Sequence, residues 1–316
     1  MSRVLVTGAT GLVGQSLCEL LARQGFAVRA ALRTARGLPA CIAEGVVVGE
    51  IGPDTNWRAA LEDVEFVVHL AARVHQPSQR ALDPQVYDRI NAYGTQRLAT
   101  AAAAAGVRRL VYVSSVKVNG DGMGDHAYCA ADPPDPQDAY ARSKWLAEKL
   151  LLEGRDAAHS VALVRPPLVY GPGVRANFLR LLDWVYRGRM LPLASVRNRR
   201  SLVSVWNLAD LLVRLLTQPE AVGRLWMVSD GDDLSTPDLV RELAAAMQKP
   251  PHLIPVPPSL LQVAGRLTGR VGEVQRLCGS LRIDISQTRS ALQWVPPLSA
   301  REGLARTVDW YLSARR

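Results

Sequence analysis

The chain has 316 residues, 48% hydrophobic and 21% charged, enough for one large core or a core plus a smaller lobe, and this excludes a disordered, collagenous or coiled-coil chain. No run approaches the roughly 20 apolar residues of a membrane span, and Met1-Ser2-Arg3-Val4-Leu5-Val6 enters a strand rather than a signal peptide, so a soluble cytoplasmic protein without stable membrane insertion is expected. The net charge of +9 comes from 38 cations of which only Lys117, Lys144, Lys149 and Lys249 are lysines; arginines dispersed in this way favour an anionic substrate and no nucleic-acid partner.

Residues 4–7 read as a strand, followed by a glycine-rich turn and an apolar periodic run over 12–23 that reads as a helix stopped by Gly25. Further strands are expected at 26–32, 45–48, 65–70, 109–113 and 161–164, with helices between several of them, including an Ala-rich one ending at 101–106 and another over 139–153. Short apolar runs alternating with helices indicate α/β architecture, here a Rossmann-type doubly wound parallel sheet in a dinucleotide-binding domain over residues 1–170. Residues 120–138, rich in Gly, Asp and Pro, form a loop beside a strand end, a place where substrate contacts gather. From 171 to 316, Pro- and Gly-punctuated shorter elements indicate a smaller, discontinuous C-terminal substrate lobe. Segments 202–205 and 225–228 are candidates to return to the main sheet, and the amphipathic, basic stretch 260–276 reads as a helix of the lobe in preference to a membrane contact.

Cys18, Cys41, Cys129 and Cys278 lie far apart without a histidine cluster, so neither disulfides nor a metal site is expected. Thr7-Gly8-Ala9-Thr10-Gly11-Leu12-Val13-Gly14 places three glycines between strand and helix. Gly8 permits the tight turn, Gly11 lets the backbone approach a pyrophosphate, Gly14 allows close helix–strand packing, and the helix start carrying Leu12 and Val13 supplies donors. Where the second strand ends, Arg29-Ala30-Ala31-Leu32-Arg33 offers no carboxylate for a ribose hydroxyl. Arg33 suits a 2′-phosphate, which tilts the cofactor from NAD(H) toward NADP(H). Asp63 and Val64 are candidates for the adenine edge, and Leu70, Ala71 and Ala72 for close passage of the dinucleotide. His69 and His75 read as structural.

Tyr140-Ala141-Arg142-Ser143-Lys144 puts a phenol and an ammonium one helical turn apart. Lys144, together with the positive charge of an oxidised nicotinamide, is expected to draw the Tyr140 pKa down and make it a proton shuttle. Val113-Ser114-Ser115 ends a strand, so the Ser115 hydroxyl is placed to orient the reacting oxygen. Asn91 is a brace for the central helix and for a proton-relay water, and Lys117 a cation near the sugar or diphosphate.

Together, the glycine turn, N-A-Y-G-T (91–95), V-S-S (113–115), Y-A-R-S-K (140–144) and R-P-P-L-V-Y-G-P-G (165–173) resemble the extended short-chain dehydrogenase/reductase family, in its nucleotide-sugar epimerase/dehydratase branch, over essentially the whole chain. The resemblance implies Ser115, Tyr140 and Lys144 as the catalytic set with Asn91 in support, Pro167 and Val169 beside the nicotinamide, and Asn177 and Arg200 as contacts of a UDP-sugar. It also suggests a homodimer through the helix bearing Tyr140 and Lys144.

Dehydratases of that branch carry an Asp-Glu pair after the hydroxyl residue, and here Val116-Lys117 stands there, which argues against elimination. Ser114-Ser115-Val116-Lys117-Val118-Asn119-Gly120 also departs from the S-S-x-x-V-Y-G of hexose epimerases. With Val228-Ser229-Asp230-Gly231, Asp284-Ile285-Ser286 and Trp294-Val295-Pro296, it is similar to bacterial surface-polysaccharide enzymes that reduce UDP-4-keto-6-deoxy-N-acetylglucosamine to UDP-N-acetylquinovosamine. The expected activity is 4-keto reduction. UDP-hexose or N-acetylhexosamine 4-epimerisation is the alternative, and a non-catalytic dinucleotide sensor a third reading. Val205-Trp206-Asn207 stands where the family usually has an acidic residue, so the Trp206 indole is expected to disturb packing or the lobe.

Overall fold

Aliphatic runs too short for helices form the strands β1 (Arg3–Thr7), β2 (Ala27–Leu32), β3 (Glu44–Val47), β4 (Phe66–His69), β5 (Arg109–Val113), β6 (Ala127–Tyr128) and β7 (Val161–Arg165). Later come β8 (Leu168–Tyr170), β9 (Arg200–Ser204), β10 (Arg224–Met227), β11 (Asp233–Leu234) and β12 (Arg282–Ile283). The computed structural model describes residues 1–74, 83–122, 126–154 and 161–315, so His75 lies outside the described residues.

Seven strands pair in parallel in the order β10-β7-β5-β4-β1-β2-β3. Side chains alternate across this sheet, so both faces need cover. Val4, Val6, Val68, Val111 and Val164 meet the helices Leu12–Arg23 and Val205–Thr217. On the opposite face Leu5, Val67, Leu110, Tyr112 and Leu163 meet Gly94–Ala104 and Ala139–Glu153. From β1 the chain builds outward through β2 and β3, then crosses back to β4, and this reversal opens a crevice at the C-terminal ends of β1 and β4.

A second core lies in the lobe, where Phe178, Leu182, Leu202, Leu243 and Val308 pack around Tyr170. A small sheet in the order β11-β9-β8 borders it, and β12 pairs with β6. Of the two segments read as candidates for the main sheet, 225–228 supplies β10, whereas 202–205 runs in the small sheet beside β8. The reason is that Leu202 points into the lobe core and Val203 into the main core, so both sides of β9 are used where the cores meet. The single helix expected over 260–276 is instead two, Pro258–Leu267 and Val271–Cys278, interrupted at Gly269 with φ +67°.

Trp206 does not disturb this arrangement. Its half-buried ring lies 5.6 Å beneath the Arg306 guanidinium. The neighbouring Asn207 takes the buried position, donating to the Asp230 carboxylate at 2.7 Å and to the Leu298 carbonyl at 2.8 Å while accepting from the Leu298 N–H at 3.0 Å. The unusual Asn119 is occupied through its side-chain oxygen, which accepts from Arg165, itself forked onto Glu148 in a buried ion pair.

Candidate active site

The turn after β1 fits its glycines closely. Gly8 has φ +70°, and a Cβ there would meet the Ala71 backbone nitrogen at 3.0 Å, while a Cβ on Gly14 would lie 2.2 Å from the Gly8 carbonyl oxygen. No side chain caps the helix that starts at Leu12, so its first N–H groups remain available to an anion. Leu12 packs toward the lobe core and Val13 toward the main one.

Beside this turn lies a cavity of about 280 Å³ lined by Gly8, Thr10, Arg33, Arg36, Glu50, Ile51, Ala71 and Ala72, among others. A glycine cradle, free helix N–H groups and a crevice at the strand ends fit a dinucleotide. Arg33 is exposed at the mouth, and Arg36 donates to the Thr10 hydroxyl at 3.2 Å. Asp63 and Val64 lie elsewhere, which corrects the expectation for the adenine edge. They precede β4, at the end of the sheet opposite the cavity, where Asp63 pairs with Arg3 at 3.7 Å and Val64 is buried in the core. The residues that do line the cavity after a strand end are Glu50 and Ile51, just beyond β3.

A buried hydrogen-bond chain fixes the crevice. The Thr7 hydroxyl pairs with His69 Nδ1 at 2.7 Å and accepts from the N–H groups of Leu70 and Ala71 at 3.2 and 3.1 Å. His69 Nε2 meets the Thr95 hydroxyl at 2.9 Å, and Thr95 donates to the Asn91 carbonyl at 2.7 Å. Burial first, then the Lys144 charge, drive the His69 pKa down to about 3, so the ring is neutral and structural. Asn91 sits in a π-helical turn, Asp88–Tyr93, a distortion that recurs at functional sites. Its amide accepts from the Arg73 N–H at 2.7 Å and donates to the Arg73 carbonyl at 3.0 Å and to the Ser143 hydroxyl at 2.9 Å. Asn91 is thereby hydrogen-bonded to the helix Ala139–Glu153 through Ser143.

The structure brings Ser115, Tyr140 and Lys144 together. Ser115 caps the short turn after β5, accepting from the Lys117 N–H at 3.3 Å, and its hydroxyl lies close enough to the Tyr140 phenol to act on its pKa. Lys144 is 2% exposed, donates to the Val113 carbonyl at 2.7 Å and lies 4.3 Å over the Tyr112 ring. Burial pulls its pKa down to about 7, with Glu148 opposing. The expectation that Lys144 lowers the Tyr140 pKa is not met: burial and then the Asp138 carboxylate push the phenol up to about 12, and the Ser115 hydroxyl is what opposes them. The Lys144 ammonium is engaged by the Val113 carbonyl instead.

Sequence reasoning passed over Asp138. This residue caps the helix, accepting from the Ala141 N–H at 2.7 Å, and pairs with the Lys117 ammonium. Lys117 is thus engaged by the helix cap, tying the serine turn to the start of the tyrosine helix.

Pro167 and Val169 follow β7 beside the serine turn, joined to it by the Val116 N–H donating to the Pro166 carbonyl at 2.9 Å. In the lobe, Ala176 at φ +52° starts the helix Ala176–Tyr186 and places Asn177 on its exposed end. Arg180 joins Asn177 to Glu273, with both distances 3.1 Å, and Arg200 donates to the Arg276 carbonyl at 2.9 Å. Asn177 and Arg200 are therefore both joined to the helix Val271–Cys278. Burial and the nearby Arg276 charge lower the Arg200 pKa, an arrangement that an anion would relieve. A larger cavity of about 850 Å³, bounded by Arg197, Asp232, Arg241 and Glu242, contains none of these residues.

Two predictions follow from these charges. Because the folded Lys144 pKa lies below its ordinary 10.5, the unfolded chain binds more protons between about pH 7 and 10.5, and this group adds stability as pH rises through that window. Relative to wild type, urea unfolding of Lys144→Met should show a slope of stability against pH there shifted in the negative direction; an identical slope would contradict the burial. Asp138→Asn keeps a capping oxygen but removes the carboxylate charge, so Tyr140, followed by phenolate absorbance against a Tyr140→Phe control, should ionise at lower pH than in wild type. An unmoved titration would show that Asp138 does not act on it.

The pattern of the NAD dependent epimerase/dehydratase family matches residues 4–228. A Vibrio cholerae protein named UDP-glucose 4-epimerase is 39% identical over 98% of this chain and 96% of its own length. An Escherichia coli O157:H7 protein named N-acetyl-alpha-D-glucosaminyl-diphospho-ditrans,octacis-undecaprenol 4-epimerase is 26% identical over 97% of this chain and 94% of its own. Among solved structures, MoeE5 in complex with UDP-glucuronic acid and NAD superposes with a TM-score of 0.79 at 29% identity, covering 99% of this chain and 100% of that one. With its glycine turn at the sheet reversal and its match over more than two thirds of its length, the chain belongs to the NAD dependent epimerase/dehydratase family and is an NAD(P)-dependent enzyme.

Proposed function

We propose that this enzyme reduces the 4-keto group of a UDP-4-keto-6-deoxy-N-acetylhexosamine, giving a UDP-N-acetylquinovosamine type product for surface polysaccharide synthesis. The observation that carries the reading is the proximity of Ser115 to Tyr140 next to positions 116 and 117 that hold no acid pair. Val116 is buried in the core and Lys117 is engaged by Asp138, which supports carbonyl–alcohol interconversion over loss of water.

When bound, the reduced nicotinamide supplies the hydride. Ser115 hydrogen-bonds the 4-oxygen, and Tyr140 gives that oxygen its proton as the carbonyl carbon becomes a secondary alcohol. A phenol held well above its ordinary pKa is in the protonated form that this direction requires. Lys144 holds the helix against the end of β5 through Val113. Asn177 and Arg200 grip the diphosphate end, and two copies pair through the helix Ala139–Glu153, where Trp145 is half-buried and Leu152 exposed.

Arg33 and Arg36, lining the cavity where β2 ends, support NADP(H) as the exchangeable reductant. A second reading, 4-epimerisation of a UDP-hexose or UDP-N-acetylhexosamine, is favoured by the name of the Vibrio cholerae relative at 39% identity. Oxidation of NADPH by UDP-4-keto-6-deoxy-N-acetylglucosamine, with the sugar product identified by NMR, separates the two. Stoichiometric oxidation supports reduction, whereas retained NAD with interconversion of 4-hydroxyl epimers supports the second.

Tyr140→Phe should lower turnover about 100-fold or more while leaving dinucleotide binding nearly intact; unchanged turnover would remove Tyr140 from the chemistry. Arg33→Ala combined with Arg36→Ala should reduce kcat/KM for NADPH by about 10-fold to 100-fold and for NADH far less. Equal losses with both cofactors would place the arginines away from a 2′-phosphate.

A further inference from the structure

The helical hairpin of the lobe is amphipathic in a sense that its own packing does not use. Its inner side is narrow: Gly265 is the buried residue of the helix Pro258–Leu267, and a Cβ there would lie 2.8 Å from Val274, so the two helices touch through a glycine and a valine. Leu261 and Leu277 pack against the lobe core, and the other large apolar side chains of the first helix face outward. Leu260, Val263 and Leu267 are 59%, 51% and 84% exposed, and their spacing places them on one stripe of the helix. Val271, at the start of the next helix, and Ile254, on the approach to the hairpin, are exposed as well.

Charge specifies what fits this face. Between residues 251 and 280 the cations are Arg266, Arg270 and Arg276 and the acid is Glu273, which is paired with Arg180. Arg266 borders the apolar stripe, about 60° around the helix from Val263, and Arg270 occupies the turn between the helices; both are exposed. An apolar ridge flanked by arginines with no unpaired acid matches a bilayer interface whose acyl boundary takes the leucines and whose anionic headgroups take the guanidinium groups.

We propose that this hairpin docks on an anionic lipid bilayer. The partner is a membrane surface, not a spanned membrane, since no helix among the described residues is long and apolar enough to cross one. The helix Val271–Cys278 also touches Arg180 and Arg200, so docking brings the lobe's candidate substrate contacts close to the membrane surface. The proposal is independent of the reaction assigned above, because lipid binding is read without turnover.

The test is co-sedimentation of the full chain with vesicles of equimolar phosphatidylglycerol and phosphatidylcholine, against vesicles of phosphatidylcholine alone. The expected result is partition about ten-fold stronger onto the anionic vesicles, weakened by high salt. Leu260→Ser with Leu267→Ser should abolish it, as should Arg266→Glu with Arg270→Glu, both pairs lying on exposed positions and leaving the unfolding midpoint near wild type. No partition, equal partition onto both vesicle types, or partition unaltered in both variants would overturn the proposal. So would a dimer in sedimentation equilibrium that the leucine variant dissociates, because a second copy would then cover the face.

Discussion

An ammonium group at 2% exposure is the constraint around which the candidate site is arranged. Burying the Lys144 charge is unfavourable unless neighbours compensate, and each compensation fixes a different part of the crevice. The Val113 carbonyl ties the helix to the end of β5, the Tyr112 ring lies beneath the charge, and Glu148 one turn further along supplies the opposing charge. Glu148 is itself held by Arg165 at the end of β7, and Arg165 also reaches Asn119 behind the serine turn. One buried lysine thereby aligns the ends of two strands with the helix that carries Tyr140.

The dinucleotide side is fixed by a second chain of buried polar groups that meets the first. Thr7, His69, Thr95 and Asn91 run from the glycine turn through the end of β4 to Ser143, one residue before Lys144. A movement at either end must break a buried hydrogen bond, which is costly when no water replaces it. The cradle and the Ser115–Tyr140–Lys144 cluster are therefore held in mutual register by the protein itself. In the lobe, contacts instead pass through the exposed hairpin, where Glu273 and Arg276 meet Arg180 and Arg200.

Local pattern carried much of this. The helices Leu12–Arg23 and Ala139–Glu153 and the strand Arg109–Val113 lie where periodicity and length place them, because amphipathic and fully buried segments have distinct spacing. The glycine turn was legible because Gly8 and Gly14 are required sterically. Proximity along the chain misled at Asp63 and Val64: standing next to a strand does not say which end of the sheet is reached, and Glu50-Ile51 after β3 was the signal. Segment 202–205 was ambiguous because an apolar strand between two cores reads alike for either sheet. The effect of Lys144 on Tyr140 was misjudged since helical spacing shows which residues are neighbours but not which acceptor the ammonium chooses, here the Val113 carbonyl. Asp138, a helix cap in sequence, acts on the phenol only through the folded geometry.

The account's central claim is that hydride passes to the carbon whose oxygen Ser115 and Tyr140 hold. Transfer from NADPH carrying deuterium at the transferable position, with UDP-4-keto-6-deoxy-N-acetylglucosamine as acceptor and NMR of the sugar product, tests it most directly. The account predicts one deuterium, at the 4-carbon of the sugar, and none at that position in the Tyr140→Phe enzyme over the same interval. A product altered at the 4-position without deuterium, or deuterium at any other carbon, would contradict it.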